Sequence, residues 1–319
     1  MSNITSSKLL LYPERIRGDF RPITADLFLT NYCNNRCPYC TYRRWKFDAD
    51  ARAIPFDDFT RNIKRLLSLG VVGFILTGGG EPTIHPEFER IATWLSDNHI
   101  NYGINTNFNR LLFFKPTYIK VSLDGYDRTS YKKSRGVDAY EQVVDNIKAF
   151  AEWKRRESPH TSLGIQSIPH SADDVMRFYE ANKNLDVDYM VFRPIESTNG
   201  SYYSNGKNSE EIQSVTNAVK ALSGVDKRCV LNFKWSLIGV QEKECTAQWA
   251  QIAVNEKSEV MYCCHKPYQI IGNLMDDDIL EKKAKARTTM SMCDIPCRMT
   301  TSNSIMASIQ SNHKDKEFI

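Results

Sequence analysis

The strongest constraint on this chain is a repeated switch of hydrophobic period between about residues 24 and 193. Short β-branched, apolar runs alternate there with segments whose apolar residues recur at helical spacing, the pattern of βα units around a parallel sheet. The first strand is expected at 26–30, and a helix from Phe56 puts Phe59, Ile63, Leu66 and Leu67 on one face. Pro55, Asp57 and Asp58 suit the start of that helix and Gly70 its stop. Further strands are expected at 72–77, 102–106, 119–123, 163–168 and 189–192, with helices near 87–97, 140–153 and 172–182. Six strands are too few to close an eight-unit barrel. The expected fold is therefore α/β, a partial (β/α)6 barrel with its functional groups at the carboxyl ends of the strands.

Beyond Arg193 the pattern changes. Residues 197–209, rich in Ser, Asn, Gly and Tyr, read as loop, and 210–222 as a helix. Residues 252–254 and 259–262 read as a short hairpin. The expected organisation is an N-terminal segment 1–22, a barrel 23–196, a linker and helix 197–242, a small α+β unit 243–309 and a mobile polar tail 310–319.

No apolar run approaches the roughly 18 residues of a membrane span, and residues 1–7 lack a signal-peptide core. A cytoplasmic, membrane-free protein is expected. Lys and Arg exceed Asp and Glu by only 42 to 38, so nucleic acid is not an expected partner. The run Lys132-Lys133-Ser134-Arg135 reads as a solvated face. Nine cysteines without a secretory signal point to metal or redox chemistry rather than disulfides.

Three of those cysteines sit just beyond the first expected strand, as Cys33-Asn34-Asn35-Arg36-Cys37-Pro38-Tyr39-Cys40. Three thiolates on a 4Fe-4S cubane leave one iron free to bind a small molecule. A zinc loop is the other reading, although no His lies nearby to complete it. After the second expected strand comes Thr77-Gly78-Gly79-Gly80-Glu81-Pro82, where glycine permits close approach of a ligand.

Together these motifs resemble the radical S-adenosylmethionine (radical SAM) superfamily, over about residues 26–193. The resemblance implies that Cys33, Cys37 and Cys40 hold the catalytic cluster and that S-adenosylmethionine is cleaved reductively to a 5'-deoxyadenosyl radical. It implies that the backbone of Gly78, Gly79, Gly80 and Glu81 receives the methionine amino group, and that Tyr39 lies against the adenine. Thr106, Asn107, Ser122 and Asp124 take the family's strand-end polar positions toward ribose and methionine, and Gln166 the fifth-strand position. Arg193 either faces a carboxylate or phosphate or is structural. A low-potential electron donor such as flavodoxin or ferredoxin is implied as a partner.

Downstream, Cys245, Cys263, Cys293 and Cys297 could enclose a second 4Fe-4S cluster or a structural zinc. Val260-Met261-Tyr262-Cys263 and Gly272-Asn273-Leu274 resemble the twitch domain, a shortened form of the SPASM extension that carries auxiliary clusters. Three residues separate the last pair where the family often has two, and Cys264 competes with the preferred Cys263. Cys229 reads as a buried small hydrophobe and His265 as a surface residue.

An auxiliary cluster near the pocket can accept the electron left after hydrogen abstraction. The first functional reading is thus oxidation of an alcohol to a ketone, as in aminocyclitol, sugar or natural-product biosynthesis. Modification of a ribosomal peptide comes second, disfavoured by the short segment ahead of the first strand, where no leader-binding domain fits. RNA or nucleotide modification and a zinc-stabilised binding module are the remaining readings. Positional candidates for a base are Arg193, Asp124 and Tyr126.

Overall fold

The computed structural model describes residues 8–17, 21–40, 42, 52–196, 202–203, 209–238, 245–289 and 299–310. Two short helices, α1 (Lys8–Leu11) and α2 (Glu14–Arg17), precede β1 (Thr24–Phe28). Next come α3 (Phe56–Ser68), β2 (Gly73–Thr77), α4 (Phe88–Asp97), β3 (Tyr102–Thr106) and β4 (Tyr118–Ser122). The barrel continues with α5 (Arg128–Arg135), α6 (Tyr140–Glu157), β5 (Ser162–Ser167), α7 (Ala172–Asn182) and β6 (Tyr189–Phe192). A small hairpin, β7 (Ile195–Glu196) and β8 (Tyr202–Tyr203), leads to α8 (Ser209–Val225) and β9 (Cys229–Leu231). The last third holds β10 (Gln251–Val254), β11 (Glu259–Met261), β12 (Ile270–Asn273), α9 (Ile279–Thr289) and α10 (Thr300–Gln310).

Strands β1 to β6 lie side by side in sequence order and all run parallel, as the alternation predicts. Parallel neighbours need a crossover, and helices supply most of them. Between β3 and β4 the crossover is irregular, and Phe108, Leu112 and Phe114 do the burying instead. Local chemistry sets the helix ends. Asp57 and Asp58 open α3, where carboxylates suit the positive end of the helix. At α5, Asp127 and Ser130 form a reciprocal capping box, and Gly136, at φ 73°, closes the helix in the left-handed region.

The sheet is wider than six strands, in the order β12-β11-β10-β1-β2-β3-β4-β5-β6-β9. Strand β9, from the stretch expected to be linker and helix, pairs parallel with β6. Its three residues are too few to display a period, which is why periodicity missed it. At the other edge β10 pairs parallel with β1, and β11 and β12 follow antiparallel. The expected hairpin therefore extends the barrel sheet across the boundary placed near residue 243. Cys229 is buried in the main core, as a small hydrophobe would be. Residues 311–319 of the expected tail lie outside the described residues. Among those described, no helix is long and apolar enough to cross a membrane.

Inward faces of α3, α4 and α6 meet the sheet through residues such as Ile63, Leu66, Ile91, Leu95 and Ile147, all fully buried. Phe150 centres an aromatic group, its ring 5.8 Å from Phe108, 5.9 Å from Phe114 and 5.2 Å from Trp153. Truncating a buried aromatic removes its transfer energy and leaves a cavity. Phe150→Ala is expected to cost about 3–5 kcal/mol, read as a lower urea midpoint.

Candidate active site

The loop after β1 is pinned at its neck. Thr30 bridges Ala53, the Asn31 N–H donates to the Arg52 carbonyl at 3.1 Å, and the Ile54 N–H to that of Leu29 at 2.9 Å. Beyond the neck, the thiols of Cys33, Cys37 and Cys40 open on one cavity at the carboxyl ends of the strands. The Cys40 N–H donates to the Cys37 carbonyl at 3.1 Å, so the last two cysteines share a tight turn. Cys33 is exposed as a residue, yet its sulfur is packed so that burial pushes the thiol up to about 12, against the Asn35 N–H. Burial also raises Cys37, with Arg135 opposing. For Cys33 and Cys37 burial thus favours the protonated thiol, and a metal bound there would have to displace those protons.

The glycine run forms a cradle under that loop. A Cβ on Gly80 would lie 1.9 Å from the Tyr32 carbonyl oxygen, and Gly79 sits at φ 74°. Only glycine allows that approach. Glu81 is buried and accepts from the Thr83 N–H at 3.1 Å, the Thr83 hydroxyl at 2.7 Å, the Thr106 hydroxyl at 2.5 Å and the Asn107 N–H at 2.7 Å. Burial pushes its carboxyl up, and those donors hold it back. Thr106 thus turns its hydroxyl to Glu81. Asn107 gives its side-chain amide to Asn34 at 2.6 Å and lies 3.8 Å from the Cys33 sulfur.

Asp124, at φ 48° after β4, pairs with Arg135 at 2.9 Å, both side chains buried. The Tyr39 hydroxyl donates to the same carboxylate at 3.2 Å. Arg135 also presents its carbonyl to the Arg36 N–H at 3.0 Å, so the end of α5 docks on the cysteine loop. This corrects the reading of 132–135 as a solvated face. Lys132 and Lys133 are exposed, but Arg135 turns inward.

Each residue nominated for the first cluster or for the ligand lines this cavity: Tyr39, Gly78, Gly79, Gly80, Glu81, Thr106, Asn107, Ser122, Asp124, Gln166 and Arg193 join the three cysteines. Of the base candidates, Arg193 and Asp124 line it and Tyr126 does not; the Tyr126 hydroxyl lies 3.4 Å from Asp174 instead. Sequence reasoning missed Asp26, Lys120 and Lys234, and it weighed Cys264 only as a ligand in the second cysteine group; all four are on the cavity wall. Asp26 and Lys120 carried a signal, a charged residue inside a strand otherwise apolar. His265, expected at the surface, lines the cavity because the turn after β11 folds over it.

In the C-terminal set, Cys245 is buried, and Cys263 and Cys264 follow β11. Cys264 faces the barrel cavity, its sulfur 3.9 Å from the Gln251 amide; Cys263 does not line that cavity. Cys293 and Cys297 lie outside the described residues. Among the described residues no three His, Cys, Asp or Glu side chains gather as the ligand set of a single ion. A cubane asks for a different arrangement, one thiolate for each iron it binds.

Residues 27–181 match the Radical SAM superfamily. The chain is 30% identical over 179 residues to the molybdenum cofactor biosynthesis protein moc-5 of Caenorhabditis elegans, covering 52% of this chain and 29% of that one. It is 30% identical over 135 residues to a probable GTP 3',8-cyclase of Pyrococcus abyssi, covering 40% of this chain and 43% of that one. The chain thus spans less than half the length of these two curated relatives. Its fold is similar to that of SuiB from Streptococcus suis, solved with the precursor peptide SuiA, at TM-score 0.67 and 15% identity over 96% of this chain and 76% of that one. By its cysteine loop, its parallel sheet and this family match, residues 27–181 are a radical SAM domain.

Proposed function

We propose that this chain is a radical SAM oxidoreductase that abstracts a hydrogen atom from a small polar substrate and oxidises an alcohol to a ketone, assisted by an auxiliary iron-sulfur cluster. One observation carries the reading: the thiols of Cys33, Cys37 and Cys40 open on the same cavity as the glycine cradle and the polar ends of the strands. The residues suit the group they would hold. Three thiols leave one iron of a cubane open, the glycines leave backbone bare beside it, and the buried Asn35 side-chain nitrogen has no hydrogen-bond partner among the described residues.

Loaded with S-adenosylmethionine and reduced by a donor such as flavodoxin or ferredoxin, that cluster supplies the electron that releases methionine and a 5'-deoxyadenosyl radical. The chain's own residues bind and orient. By the family resemblance, the backbone of residues 78–81 would receive the methionine amino group, Tyr39 would hold the adenine, and Ser122, Asp124 and Gln166, on the same cavity, would hold the nucleoside. Thr106 and Asn107 act by position, since their donors are spent on Glu81 and Asn34. Lys120, Arg193 and Lys234 share the cavity wall with Asp26, Glu81 and Asp124, a mixed polar lining that suits a polar substrate. The auxiliary cluster falls to Cys245, Cys263, Cys293 and Cys297. Reduced thiols at both centres suit the cytosol.

A peptide substrate is the second reading, supported by the likeness in fold to SuiB over 96% of this chain. A screen of deuterated alcohols and deuterated peptides separates the two. Label arriving in 5'-deoxyadenosine from a polyol is the expected result, and label arriving only from peptides overturns the alcohol reading.

Anaerobically reconstituted protein is expected to hold about eight irons per chain, two cubanes' worth, and when reduced to convert S-adenosylmethionine to 5'-deoxyadenosine. Cys37→Ala abolishes that conversion; normal cleavage by the variant would sink the assignment.

Arg135→Met leaves the Asp124 carboxylate buried and uncompensated, at a cost of about 3–5 kcal/mol. The expected result is a lower melting temperature and iron lost from the first centre, with part of the stability regained when Asp124→Asn is added. Equal stability of Arg135→Met and the parent would show that the pair does not hold the loop.

A further inference from the structure

Lys283, in α9, is 2% exposed, and its Nζ has no hydrogen-bond partner among the described residues. Helix α9 packs on β12 and on the short helical turn Gln248–Ala250. Those two elements flank the C-terminal cysteines: Cys245 lies just ahead of the turn, and Cys263 and Cys264 lie between β11 and β12. Burial pulls the Lys283 amine down to about 8, and the charges that oppose the pull are Cys263, Cys245 and Cys264. No carboxylate acts on it among the described residues.

A buried amine without an acceptor is costly, and an anion beside it removes the cost. A protonated thiol is a poor acceptor. Thiolates bound to iron, and the sulfides of a cluster, are anionic acceptors. We propose that Lys283 is the internal countercharge of the auxiliary iron-sulfur cluster, donating to its sulfur atoms and raising its reduction potential. This rests on the auxiliary-cluster part of the function proposed above. A cation held beside a cluster stabilises the more negative, reduced state, and hydrogen bonds to sulfur act in the same direction. That is the bias needed by a centre that takes one electron from a substrate radical. Lys283 is a positioning residue in this account, because it touches neither substrate nor S-adenosylmethionine.

The test uses the full chain with Cys33, Cys37 and Cys40 all changed to Ala, reconstituted anaerobically with iron and sulfide, so that any cluster held is the auxiliary one. About four irons per chain are expected. Redox titration followed by electron paramagnetic resonance should move to more negative potential in Lys283→Met and stay near the parent in Lys283→Arg. In iron-free protein Lys283→Met should melt higher than the parent, since it removes an unpartnered buried amine; a lysine with a merely structural role would lower melting there. Iron lost from Lys283→Met but kept by Lys283→Arg also supports the proposal. Full iron with an unmoved potential in Lys283→Met, iron lost from both variants, or a lower melting temperature of iron-free Lys283→Met overturns it. No iron, or zinc alone, in the parent of the series overturns the auxiliary-cluster reading and this proposal together.

Discussion

The candidate site stands on one buried carboxylate. Glu81 gathers donors from Thr83, just beyond β2, and from Thr106 and Asn107 at the end of β3, while its own N–H donates to the Tyr32 carbonyl in the cysteine loop at 2.9 Å. One residue therefore fastens two strand ends and the loop that carries the thiols. The desolvation cost is real, since burial pushes the carboxyl up, but four donors to one carboxylate make strong, charge-assisted bonds. An apolar residue there would leave buried N–H and hydroxyl groups without acceptors, and the strand ends would lose their common anchor.

A second fastening comes from the opposite side. Asp124 and Arg135 form an ion pair beneath Tyr39, and the end of α5 presses on the loop through Arg135 and Gly136. At Gly136 a Cβ would lie 2.2 Å from the Arg36 carbonyl oxygen, and φ is 73°, so glycine is required twice over. Both fastenings are polar and buried, which gives directional contacts where apolar packing alone would let the loop slide. The orientation of the thiols thus follows from groups that do not themselves meet a metal.

Much of this was legible in the sequence, for reasons that differ by residue. The six central strands showed because each is an apolar run between helical segments of clear period. The thiols and the glycine run showed because spacing in a loop survives without tertiary context. Arg135 was not legible: it ends a run of exposed lysines, and only the fold turns it toward Asp124, eleven positions upstream. Lys283 was hidden in the same way, in a helix whose charged residues gave no sign of which one faces inward. Strand β9 escaped because a three-residue strand has no period to read. Where identity and spacing carry the chemistry the sequence suffices; where burial decides a charge's role it does not.

The cavity itself is not completed by the barrel. Strand β10 pairs with β1, Gln251 of β10 hydrogen-bonds to Asp26 of β1, and the turn after β11 brings Cys264 and His265 onto the cavity wall. Lys234, from the segment after β9, completes that side. The family match ends at residue 181, before Lys234, Gln251, Cys264 and His265. Within the match lie the groups that, on the function proposed above, would handle S-adenosylmethionine, whereas groups that shape the rest of the cavity come from the part of the chain beyond the match. Likeness within the barrel therefore constrains how a radical is made and says little about what it is aimed at. On the function proposed above, substrate choice would fall to the wall built by β10, the turn after β11 and Lys234.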